Sequence, residues 1–297
     1  MRLLLFAAVI CGSVATAAGA QEVPARDLLE FPLGALAEAP ALASQLSGGL
    51  WNPASVTVWR PERVAVGAVA LNSPIEQGVS AQLAAASVAL PRDFVVSASL
   101  ARASVTDLIR TETDPQSIGS EIPYGTTLFS VGLARRFSSV TAGTAIRYRT
   151  GTADYLQRGA VSLDWGVVAD RVLGSPVRVA ASTFLLSPTP SREAATWLAA
   201  ADAPVVSRDS VMQVRLGLSA SATHERGNER YLYASIRYAN VEARGGIARV
   251  DAFGGTSDHS RLGLSMRYGR YGIGISREEQ GAGLGGVYQF ALTSVFP

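Results

Sequence analysis

Residues able to do nucleophilic, acid–base or metal chemistry are scarce in this chain of 297 residues, while arginine is abundant. Hydrolysis by a triad needs a nucleophile beside a base that is itself oriented, and only two histidines, His224 and His259, could serve. His224 falls in a tight turn, THERGNE, where a solvated residue is expected. His259 follows Asp258, with Asp251 nearby; one imidazole and two carboxylates could hold a cation, but in an outer loop the solvated reading is preferred. Residues 281–286, GAGLGG, satisfy G-x-G-x-x-G, a fingerprint that works only between a parallel strand and a helix whose N-terminus receives phosphate. Neither flank fits, and a loop is expected instead. The expectation is therefore a non-enzymatic protein with no catalytic residue, no metal site and no cofactor.

The arginines offer more. All 26 basic residues are arginine, against 24 acids, so the charge is neither large nor clustered and a nucleic-acid partner is not expected. Arg147, Arg149, Arg158, Arg215, Arg237 and Arg261 fall on the polar, lumenal side of alternating segments and, with the first strand running outward, in the outer halves of their strands. Confined guanidinium groups need anionic partners. Two readings follow: a salt-bridged interior in which they pair with Asp164 and with loop acids, or an anion-attracting vestibule that favours carboxylate or phosphate headgroups.

The elements that would position these arginines are strands. In 213–223, QVRLGLSASAT, Val214, Leu216, Leu218, Ala220 and Ala222 alternate with polar residues and glycine, the period of a strand with two unlike faces. The pattern recurs in 140–149, 158–170 and 261–268. Twelve strands are expected, at 63–72, 77–90, 93–105, 124–137, 139–149, 156–171, 177–187, 208–223, 229–241, 259–269, 270–277 and 284–296. Fourteen would result if 56–60 also paired. Dyad segments of this length suit an antiparallel transmembrane β-barrel, all-β, with a lipid-facing and a lumenal side. Connectors alternate short and long, as when short turns face the periplasm and 106–123, 188–207 and 242–258 face outward. Counting 245–253 as a strand would break this parity, so it is expected to be a loop excursion. Tyr124, Tyr148, Tyr238, Tyr268 and Tyr288 stand near strand ends, where interfacial aromatic girdles form. A soluble secreted β-sandwich would also alternate, with its apolar face packed inside.

Composition points to the same compartment. The opening MRLLLFAAVICGSVATAAGA reads as a secretory signal peptide (1–20) cut after Ala20. Ile10 is too bulky for a lipidation site at Cys11, the only cysteine. Charged residues are 17% and apolar residues 48%, yet after residue 20 no apolar run is long enough for a spanning helix. Residues 21–55 differ from the rest: short helix-like spacings broken by Pro32 and Pro40 suggest a plug or periplasmic segment, with the barrel at 56–297. The closing strand, with Tyr288, Phe290, Leu292 and Phe296, looks like the terminal strand that outer-membrane assembly machinery reads.

Leu50-Trp51-Asn52-Pro53-Ala54, after an Ala/Gly-rich lead-in, resembles the Asn-Pro-Ala motif of the FadL-like outer-membrane barrels, a superfamily of FadL and PorV/PorQ types. Residues 142–170 are similar to its PorV-type pattern, closing on Asp164-Trp165-Gly166. The resemblance implies an N-terminal segment in or beneath the barrel and, usually, fourteen strands. The expected function is passive transport of a small amphipathic or hydrophobic molecule across the outer membrane of a Gram-negative-type bacterium. The alternative is a closed barrel serving as scaffold or secretion accessory, and the expected partners are outer-membrane lipid and the barrel-assembly machinery. An arginine-lined lumen is a poor path for an apolar ligand, which would need a lateral or plug-gated route. Asn52-Pro53-Ala54, with Asp164 and Gly166, is expected to act structurally, as a hinge aiming the chain at the sheet.

Overall fold

The computed structural model describes residues 22–43, 49–59, 63–74, 78–106, 108–110, 119–172, 174–188, 193–208, 211–223, 227–252, 255–279 and 286–297. The proposed signal peptide with Cys11, His224, and all of the glycine-rich stretch except Gly286 lie outside them. Fourteen strands form one closed antiparallel barrel. They are β1 (Val64–Asn72), β2 (Val79–Leu90), β3 (Phe94–Val105), β4 (Tyr124–Phe137), β5 (Val140–Ala153), β6 (Leu156–Ala169), β7 (Arg178–Phe184), β8 (Thr196–Arg208), β9 (Met212–Thr223), β10 (Gly227–Tyr238), β11 (Val241–Ala252), β12 (Gly255–Tyr268), β13 (Tyr271–Glu279) and β14 (Gly286–Phe296). Each strand pairs with its sequence neighbours, and β1 closes on β14 from Val64↔Phe296 to Asn72↔Tyr288. Closure leaves no sheet edge, so the ladders can satisfy the backbone inside a hydrocarbon surround.

The two faces are inverted relative to a water-soluble sheet. Leu218, Leu232 and Ile247 stand side by side on three adjacent strands and are 59%, 67% and 63% exposed. Ser219, Ser235, Arg147, Asp164 and Arg261 on the inner face are buried. An apolar belt of this kind needs a non-aqueous neighbour, which rules out the sandwich, whose apolar face would be inside. Tyr148, Tyr238, Tyr268 and Tyr288 are on the outer wall. Tyr124 departs from the expectation: it is turned inward, and its hydroxyl donates to Asp27.

The strand count is fourteen, but not through 56–60. Residues 53–59 form a 3-10 helix, and Arg60 is outside the described residues. The two unexpected strands are β8 and β11. In β8, Leu198, Ala200 and Asp202 point inward while Trp197 and Ala199 point outward, so the inner face is apolar where the N-terminal segment packs on it. A bulge between Pro204 and Val206 also shifts its period. In β11, Arg249 lies on the outer face and pairs with Asp258 of β12 at 2.8 Å, which hides the alternation. Parity survives because two strands were missed rather than one.

The correction reverses β9 and β10. The chain passes along β7 toward one mouth, returns along β8, and so runs β9 in the direction opposite to that expected. Arg215 and Arg237 therefore lie near the end with short turns, where β1 begins and β14 ends. β9 ends and β10 begins at the other, long-loop end. His259 is not in a loop but within β12. The sheet begins at Val64 rather than at 56.

The N-terminal segment fills the lumen. It carries 3-10 helices Asp27–Leu29, Pro40–Leu42 and Pro53–Trp59. Leu28, Leu29, Leu33, Leu42, Leu50 and Trp51 join the inward-facing Leu71, Leu83, Leu128, Tyr231 and Tyr233 in one buried cluster. The segment starts near the long-loop end, where the carbonyls of Val23 and Pro24 accept from Arg149, and descends to the short-turn end, where Val56 meets Val95 and Ala134.

Candidate functional site in the lumen

Asn52, Pro53 and Ala54 seat the segment against the wall. Asn52 is fully buried; its Nδ2 donates to Ala41 O at 2.7 Å, and its Oδ1 accepts the Ala54 amide at 2.9 Å. Proline restricts Asn52 to extended geometry and lacks an N–H, so an Asx-type turn can close here without a competing donor. The turn rests on Gly143 and Gly166, which face each other across the β5–β6 ladder. A Cβ at Gly143 would lie 2.7 Å from Ala54 N and from Pro53 C, and one at Gly166 would overlap the Asn52 amide. The Trp51 carbonyl accepts from Ser182 Oγ at 2.9 Å, and its Nε1 donates to Leu33 O at 2.8 Å. Gly166, two residues after Asp164, thus meets Asn52 in space.

Asp164 holds a seam in the wall. The β6–β7 ladder is only four pairs long, Gly166↔Ser182 to Ala169↔Val179. Beyond it the chain kinks at Leu185, whose φ is 60°, before Leu163 N of β6 donates to Leu186 O at 2.9 Å. The Asp164 carboxylate accepts the amides of Leu185 and Leu186 at 3.0 and 2.8 Å, replacing part of the missing ladder. Arg147 approaches the same carboxylate at 3.0 Å, and its guanidinium lies 4.8 Å from the Phe184 ring centre. Both charged groups are fully buried, which makes the pair costly to break.

The other arginines are also matched with acceptors. Arg149 pairs with Glu193 from the loop 185–195 at 2.6 Å. Burial pushes the Glu193 carboxyl up, against the Arg149 hydrogen bonds that pull it down. Arg261 is held by Glu229 and Glu278 at 2.7 and 2.6 Å and lies over Tyr231. Arg215 shares Asp202 with Arg178. Arg237 is exposed at the short-turn end and donates to Gln213 at 3.0 Å. Arg158 is half-buried near the long-loop end. Six arginines expected to share one lumenal half are thus divided between its two ends, and four of them are neutralised by acids. The sequence carries no signal for Glu193, Asp202, Glu229 or Glu278 as partners, because they come from other strands or a loop.

Spaces remain around the segment. At the long-loop end, a pocket of about 90 Å³ is lined by Arg26, Leu29, Trp51, Leu198, Glu229 and Val250, among others. Below the segment, a polar cavity of about 180 Å³ is bounded by Glu38, Arg178, Asp202, Arg215, Glu242 and Arg244. A third, of about 310 Å³, opens at the short-turn end beside Arg237, Arg244 and Met266. Glu38 of the segment pairs with Arg244 of β11, which ties the segment to the wall between these spaces. Arg26, at the top, donates to Thr196 at 2.7 Å. The residues that could have held a cation beside His259 are not brought together: Asp258 faces outward to Arg249, while His259 faces inward to Glu278 rather than standing solvated. Among the described residues no cluster of histidine, cysteine and acid groups is arranged to hold a metal ion.

No protein-family model matches the chain, and no curated protein matches it by sequence. Solved structures that share the fold include two proteins named for hydrocarbons. The CymD monoaromatic hydrocarbon channel superposes with a TM-score of 0.61 at 9% identity, over 93% of this chain and 98% of that one. The Pseudomonas putida toluene transporter TodX gives a TM-score of 0.59 at 8% identity, over 92% and 98%. At such identities the likeness is one of architecture.

Proposed function

We propose that this protein is a passive outer-membrane transporter for a small hydrophobic or amphipathic molecule, with the N-terminal segment as its plug and the short turns facing the periplasm. The observation that carries the reading is the pocket at the long-loop end, whose floor is the plug itself through Leu29, Pro32, Pro40 and Trp51. Its about 90 Å³ is less than the roughly 150 Å³ of an engineered cavity that takes up benzene, so a ring can enter only as the plug shifts. Below the plug the lumen is lined by ion pairs, a poor path for an apolar solute. The seam between β6 and β7 begins at Phe184, which contacts both Trp51 and Arg26 of the pocket. A lateral route into the membrane, opened as this junction loosens, would start beside the pocket. Solved structures of the same architecture include a hydrocarbon channel and a toluene transporter, which supports the substrate class. The alternating β14, ending on Phe296, fits recognition by barrel-assembly machinery.

The test is toluene entry into vesicles with lipopolysaccharide in the outer leaflet. Wild-type protein should accelerate entry over empty vesicles, and Leu198→Trp, which fills the pocket, should return it to the empty-vesicle rate. Wild-type protein no faster than empty vesicles would overturn the transport reading. The filled lumen then favours the second reading, a closed barrel that presents its loops to a partner.

A further inference from the structure

One arrangement at the long-loop end plays no part in transport. Ser257 and His259 are two residues apart on β12, so both project to the same, lumenal side. Ser257 Oγ lies 2.8 Å from Nε2 of His259, and Nδ1 of that ring lies 2.8 Å from Oε1 of Glu278 on β13. The second Glu278 oxygen accepts from Arg261 Nε at 2.6 Å, and Arg261 is fixed in turn by two 2.7 Å bonds to Glu229. Glu278 is 3% exposed, so the orienting carboxylate is fixed by packing as well as by charge. With Nδ1–H donating to Glu278, Nε2 is left with its lone pair toward the serine hydroxyl. Hydroxyl to Nε2 and Nδ1 to carboxylate is the order of nucleophile, base and orienting acid. Ser257 is half-buried, and its partner across the β11–β12 ladder, Val250, lines the pocket at this mouth.

We propose that Ser257, His259 and Glu278 form a serine-hydrolase site at the mouth of the barrel, acting on small carboxylic esters whose acyl group is compact and apolar. Ser257 Oγ attacks the ester carbonyl carbon as its proton passes to Nε2 of His259, and Glu278 stabilises the imidazolium. The tetrahedral adduct collapses, the bond to the alkoxy oxygen breaks, and the leaving alcohol takes the proton from Nε2. Water then gives a proton to Nε2 and attacks the acyl-serine, releasing the carboxylic acid and restoring the Ser257 hydroxyl. Each step closes with water as the only co-reactant. The segment's Leu29, Pro32, Pro40 and Trp51, with Leu198 and Val250, supply the apolar surface for the acyl group.

The full chain, folded in detergent micelles, is to be incubated with a fluorophosphonate and, separately, with 4-nitrophenyl acetate. The expected result is a phosphonyl adduct on Ser257 by peptide mass spectrometry, and ester turnover that falls by about 10²-fold or more in Ser257→Ala, at the lower end of what positioned acid–base groups contribute. Heat-modifiable gel migration shows that the variant is folded. Should Ser257→Ala not fold, Ser257→Cys serves: the only natural cysteine is Cys11, and the new thiol should react with iodoacetamide faster beside His259 than with His259→Gln. An unlabelled Ser257 in a native barrel, turnover unchanged in folded Ser257→Ala, or equal alkylation with and without His259 would each overturn the proposal. None of these readouts measures flux, so the site and the transport reading stand or fall separately.

Discussion

Gly166→Ala is the sharpest perturbation of the plug seat. The new methyl would overlap the Asn52 amide and approach Pro53 Cδ at 3.1 Å, so Asn52 must withdraw. Withdrawal strands two buried bonds, to Ala41 O and from the Ala54 amide. Overpacking a filled interior costs about 1–3 kcal/mol, and leaving buried polar groups unpaired costs about 1–3 kcal/mol more. With partial relaxation we expect a loss of about 3 kcal/mol, roughly a hundred-fold in the folding equilibrium. Gly143→Ala meets main chain instead: its Cβ would lie 2.7 Å from Ala54 N and from Pro53 C, so the Asn52–Ala54 turn itself must shift. Gly245→Ala is the control: its methyl meets the tip of Leu262 at 3.0 Å and does not touch the plug. Urea unfolding in micelles, followed by tryptophan fluorescence, gives the three midpoints, and planar-bilayer conductance reports whether the plug has left its seat. Gly166→Ala and Gly143→Ala should both destabilise the barrel more than Gly245→Ala, with new conductance in the first two alone. An unchanged midpoint for Gly166→Ala, or an equal fall for Gly245→Ala, would refute the docking argument.

Two further perturbations test the charged interior. Asp164→Ala leaves the Arg147 charge buried and the Leu185 and Leu186 amides without their acceptor, so it should destabilise the barrel by about 3–5 kcal/mol, whereas the joint change Arg147→Met with Asp164→Leu should recover the part due to the unpaired charge but not the part due to the two amides; a double-mutant cycle with no coupling would contradict the assignment. For Glu193, burial raises the carboxyl above its ordinary 4.5, so the folded barrel holds that proton more tightly than the unfolded chain. Its stabilising contribution is then fullest below pH 4.5 and is lost as pH rises through the raised value. The urea midpoint of wild type relative to Glu193→Gln should therefore fall across that window, and a difference independent of pH would count against it.

Read along the chain, alternation in β9, β5 and β14 already specified a lipid-facing barrel, because a period of two is local and lipid demands apolar residues on one side. The Asn52-Pro53-Ala54 turn was equally legible, since proline and asparagine chemistry acts over two or three residues. β8 and β11 were not, and for a tertiary reason. Where the plug packs, the inner face is apolar, as at Leu198 and Ala200, and where β11 rises to the long-loop end its outer face carries Arg249. Neither strand shows its period until the plug and its partner strands are in place. Missing both reversed two strands and moved Arg215 and Arg237 to the other mouth. The same holds for charge and chemistry: the sequence determined that arginines face inward, but only closure of the barrel decided that Arg147 meets Asp164, Arg149 meets Glu193 and Arg261 meets Glu229. His259 reads as a loop residue until the β12–β13 pairing brings Glu278 to one ring nitrogen, while the strand pleat sets Ser257 at the other. Period and turn chemistry act over a few residues and are written in the chain itself, whereas partnership between groups on different strands depends on register, which the closed sheet alone sets.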